Sequence, residues 1–140
     1  MAVRLTKNSI DLGIVTNNGA AMVAFYRDVL GFTEEPQTPF HAGGVIHRLR
    51  CGTSLIKLVV PEDSSPKGPG GGAITSATGL RYWTMIVDNL REIVAECEAA
   101  GSKVVFPVTE IRLGVSIAIV EDPDTNLVEF VAMEGARAVS

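Results

Sequence analysis

Apolar residues alternate with small or polar ones along IDLGIVT (10–16), which predicts a strand. Leu12 and Ile14 fall on one face of it, and Asp11, Gly13 and Val15 on the other. The period then lengthens. Met22, Phe25 and Val29 recur at helical spacing, and Gly31 supplies a stop after Leu30. Two more apolar runs, VIHRLRC (45–51) and SLIKLVV (54–60), meet across Gly52 and Thr53 as an antiparallel hairpin. The same order then recurs. RYWTMIV (81–87) predicts a strand, and Asn89 with Glu92 predicts a capping box. Leu90, Ile93, Val94 and Cys97 form one face of a helix ending at Gly101. VSIAIV (115–120), the turn EDPDTN (121–126) and LVEFVA (127–132) close a second hairpin.

Each half therefore reads as strand, helix, a weak short strand and a hairpin. The expected fold is α+β, built from duplicated βαβββ modules of about 8–61 and 79–134 in a single domain. A Pro/Gly-rich linker over 62–78 joins them, and PEDSSPKGPGGG (61–72) reads as linker or flap. Each sheet has one face for its helix and one free face. In SLIKLVV, Ile56, Leu58 and Val60 suit the helix, leaving Leu55, Lys57 and Val59 on the free face. In LVEFVA, Val128 and Phe130 suit the helix, leaving Leu127, Glu129 and Val131 opposite. Tyr82 shares the free face with Thr84 and Ile86, while Trp83 and Met85 pack inward.

The spacings agree between halves, 46 residues from Asp11 to Lys57 and 47 from Tyr82 to Glu129. Free faces that curl together would bring Asp11, Lys57, Tyr82 and Glu129 into one cavity. A turn at Gly52 and Thr53 sets Arg48 opposite Lys57, in the same cavity, with Arg50 near its rim. Two carboxylates in a low-dielectric cavity repel unless a cation lies between them. Lys57, a full charge inside an apolar run, is the expected cation, with the Tyr82 hydroxyl as a further partner.

Composition narrows the function. Of 140 residues, 46% are hydrophobic and 20% charged, enough apolar surface for a real core. The net charge is −4 and Lys and Arg are scattered, so neither nucleic acid nor an anionic membrane is an expected partner. With no apolar run of spanning length and no signal-peptide pattern, the expected location is cytoplasmic. Cys51 and Cys97 lack CxxC spacing and read as reduced thiols. His47 reads as a packed residue and His41 as a loop residue. SSPKGPGGG lacks the strand and the Gly–Lys–Ser/Thr ending of a phosphate-binding loop.

Three stretches, AFYRDVLGF (24–32), GTSLIKLVVP (52–61) and EDPDTNLVEF (121–130), resemble the vicinal-oxygen-chelate superfamily. That superfamily holds glyoxalase I, the bleomycin-resistance proteins and the extradiol dioxygenases. The resemblance runs from about Ser9 to Glu134, with Thr125 where Gly is usual. It implies a glyoxalase-like fold with a partly closed, barrel-like cavity, and homodimers. In metal-dependent members four cavity positions carry His, Glu or Gln ligands. Here those positions are Asp11, Lys57, Tyr82 and Glu129, a departure at three of the four.

The expected function is binding of a small, anionic or carbonyl-rich molecule, with no cofactor, through Asp11, Arg48, Lys57, Tyr82 and Glu129. The alternative is a superfamily enzyme of lyase, isomerase or dioxygenase type that stabilises an enolate oxyanion. Glu129 and Lys57 would be its catalytic residues, either metal-free or with a divalent metal on Asp11 and Glu129.

Overall fold

The computed structural model describes residues 1–68 and 72–139, in two units, Met1–Pro66 and Lys67–Ser140. In the first, β1 (Leu12–Val15) leads into α1 (Gly19–Val23), which continues as a π-helical turn over Ala24–Val29. β2 (Thr33–Pro39), β3 (Gly44–Cys51) and β4 (Ser54–Pro61) complete a sheet of order β1-β4-β3-β2, with β1 parallel to β4. Met22, Phe25 and Tyr26 are buried together with Leu49, Ile56 and Leu58 of the sheet. The wider turn, closed by Leu30 N–H donating to the Phe25 carbonyl (3.0 Å), lets adjacent Phe25 and Tyr26 both reach the core. Their rings meet edge to face at 4.9 Å.

The second unit repeats the plan with β5 (Tyr82–Ile86), α2 (Leu90–Ala99), β6 (Val104–Arg112), β7 (Val115–Glu121) and β8 (Leu127–Met133). Its sheet order is β5-β8-β7-β6, with β5 parallel to β8. Leu90, Val94 and Cys97 of α2 are buried with Ala118, Val120, Val128 and Phe130. The α+β class and the duplicated βαβββ order are thus both present.

Two local expectations differ. The capping box does not form, because Asn89 stands at the N-cap with φ −125° and makes no side-chain cap hydrogen bond. The weak strand of the second half is instead its longest, nine residues of β6, whose bulged pairing with β7 breaks the simple alternation that sequence reading relies on. Of the expected linker, residues 69–71 lie outside the described residues. Before them, the Asn17 side chain both accepts from Ser65 N–H (2.9 Å) and donates to its carbonyl (2.8 Å). After them, Arg81 donates to the carbonyls of Ala73 and Ile74 and to the Ser76 hydroxyl, holding a short 3-10 turn at Ile74–Ser76. Among the described residues no helix is long and apolar enough to cross a membrane.

Candidate ligand-binding site

In the first unit, strand register sets Gly13, Lys57, Arg48 and Glu35 side by side across β1, β4, β3 and β2. Alternation directs these residues away from the helix, as expected, and the hairpin pairs Arg48 with Lys57 through its two-residue turn. Glu35 serves two arginines. Its Oε2 lies 3.3 Å from Arg50 Nε, while its Oε1 is 3.8 Å from Arg48 Nη2, beyond hydrogen-bond range.

Asp11 sits one residue before β1. Its Oδ1 accepts from Lys7 Nζ at 2.7 Å and from Leu55 N–H at 2.8 Å. These contacts, Lys7 first and the Leu55 amide second, hold its carboxyl below the usual carboxylate range, and Lys57 adds only a smaller Coulombic pull. The counter-ion to Asp11 is therefore Lys7, four residues upstream, rather than Lys57. Lys57 is half-buried and, among the described residues, makes no hydrogen bond or ion pair.

In the second unit, Tyr82, Thr84 and Ile86 are the exposed positions of β5, with Trp83 and Met85 turned inward. Thr84 lies in register with Glu129 and donates its hydroxyl to Glu129 Oε1 at 2.6 Å. This short, charge-assisted bond fixes one carboxylate oxygen of a half-buried side chain. Sequence reading placed Thr84 on the right face but missed this contact, which parallel pairing creates across 45 residues of chain. Tyr82 borders an open hollow of about 440 Å³ with Ile74, Leu80 and Arg81. His47 pairs opposite Leu58 on the helix side, and His41 is exposed with its ring 4.5 Å from that of Phe40.

Divalent ions need several oxygen or imidazole donors converging on one point. Among the described residues no group of three His, Cys, Asp or Glu side chains is placed to hold one. Asp11 is already engaged by an ammonium, Lys57 is a cation, and Glu129 is bound by Thr84. Within neither unit do these side chains alone make up such a donor set.

Among solved structures, the chain is similar to a glyoxalase family protein from Bacillus cereus (15% identity, 95% of this chain and 97% of that one, TM-score 0.76). It is also similar to a glyoxalase/dioxygenase from Nostoc punctiforme (13% identity, 88% of each chain, TM-score 0.71). A third similar structure is a lactoylglutathione lyase from Agrobacterium tumefaciens (24% identity, 89% of this chain and 92% of that one, TM-score 0.63). At these identities the likeness is one of fold. No curated protein sequence matches the chain significantly. The family model described as Glyoxalase/Bleomycin resistance protein/Dioxygenase superfamily matches residues 9–130, and the chain belongs to that superfamily.

Proposed function

We propose that this protein binds a small, anionic or carbonyl-rich molecule, without a metal, with Arg48 and Lys57 of the first unit as its cationic contacts, as a cytoplasmic homodimer. The observation that carries this reading is Lys57. A half-buried lysine with no hydrogen bond or ion pair among the described residues leaves a positive charge whose donors a bound anion or carbonyl oxygen can take up. The test is metal content by plasma mass spectrometry on untagged protein expressed with iron, nickel, zinc and manganese in the medium. Background-level metal is expected, together with a raised melting temperature in the presence of small organic anions. Near-stoichiometric metal that disappears in Glu129→Gln would overturn the metal-free reading.

One observation favours a catalytic alternative. The Thr84 bond orients Glu129 as a general base is oriented, and Tyr82 of the same sheet would then stabilise an enolate oxygen. A base of this kind washes solvent deuterium into an acidic C–H of its ligand. A pure binder leaves that position unlabelled.

A further inference from the structure

Resting on that reading, we infer that the ligand is a small organic acid with one carboxylate on an apolar body. The carboxylate lies between Arg48 and Lys57, and the body lies along Val15, Val59 and Ile46.

Arg48 and Lys57 are paired residues of antiparallel strands, where Cβ atoms stand about 4.5–5.5 Å apart and like charges destabilise the sheet. An anion between them converts that repulsion into two attractions. The donors are available. An ammonium offers three N–H groups and a guanidinium five, and among the described residues neither side chain makes a hydrogen bond. Their surroundings do not neutralise them. Asp11 is taken by Lys7, and Glu35 is shared by Arg48 and Arg50. Four cations against two carboxylates leave this region positive on a chain whose net charge is −4.

There is also room. A Cβ at Gly13, the residue in register beside Lys57, would meet no atom within 4 Å. A guanidinium fork next to a point charge suits the two oxygens of a carboxylate. The next row along the sheet is Val15, Val59 and Ile46, in register with one another. It lies two residues, about 7 Å, from the charged row; it is apolar on β1, β4 and β3, with Val15 exposed and Val59 buried, and ends at Thr38 on β2. Inorganic phosphate satisfies the charged row alone. Only an acid with an apolar body uses both.

The test is titration of the ¹⁵N-labelled full chain with benzoate, its neutral analogue benzamide, and inorganic phosphate, read by amide chemical shifts. Benzoate is expected to shift Gly13, Val15, Arg48 and Lys57 and to bind about ten-fold or more tightly than benzamide, with phosphate weaker than benzoate. Arg48→Gln and Lys57→Gln should each weaken benzoate by a similar factor. Glu35→Gln should strengthen it, because it removes the carboxylate that competes for Arg48. Benzamide or phosphate binding as tightly as benzoate overturns the inference on the native protein, whether or not the variants fold. Neutral molecules shifting these residues while benzoate does not would overturn the inference and leave the binding function standing. If no small molecule shifts them, both fall.

Discussion

Thr125 has φ 67°, a left-handed conformation that costs an L-residue about 1–2 kcal/mol. The turn imposes it. Asp122, 3% exposed, accepts through Oδ1 from the Asp124 and Asn126 amides and through Oδ2 from the Asn126 side chain, each at 2.9 Å. Thr125→Gly is therefore expected to raise the melting temperature by a few degrees, and an unchanged or lower value would show that the turn carries no strain. Asp11 gives the chain a pH-dependent element. Its folded pKa lies below the ordinary 3.8, so the stability it adds is present above that value and is lost as pH falls through the lower folded one. Denaturant unfolding should find Asp11→Asn less stable than the native protein near neutral pH, with the gap closing in acid. A gap independent of pH would assign the loss to packing.

At the scale of elements, the duplicated order was readable because helix and strand periods are local properties of the chain. The capping box was not, since it depends on how Asn89 enters the helix, and neither was the length of β6, which its bulges conceal. Close approach was equally invisible. A Cβ on Gly44, at the start of β3, would lie 2.1 Å from the Val60 carbonyl oxygen, and its φ of 101° excludes ordinary side chains. Gly44→Ala should cost about 3 kcal/mol or more in chemical denaturation, and a loss under about 1 kcal/mol would mean that the hairpin end yields freely. On α2, burial first and Glu96 second push the Cys97 thiol up to about 11. The protonated thiol is thus a stabilising state below the ordinary value of 9.0, and that stability is lost as pH rises towards 11. Disulfide-reagent labelling at mildly alkaline pH should modify half-buried Cys51 first and Cys97 only as the unit unfolds. Equal rates would show that α2 opens locally.

At the scale of the whole molecule, each unit has its own sheet, helix and buried core. The proposed homodimer is checked by light scattering, which should return twice 14.8 kDa. A mass of 14.8 kDa at micromolar concentration would remove it. By itself the sequence determined the α+β class, the repeated module, the superfamily, and the faces on which Arg48, Lys57, Tyr82 and Glu129 lie. The superfamily follows from the resemblance of three stretches, and the rest from residue alternation and a two-residue hairpin turn, both short-range. Tertiary structure alone decided the distant partners, giving Asp11 to the Leu55 amide, Glu129 to Thr84, and none of the described residues to Lys57, while Lys7 reaches Asp11 from only four residues away. Alternation fixes which face a side chain takes, but a hydrogen bond needs a particular atom within about 3 Å, and only parallel register and the path of the connecting loops bring that atom there.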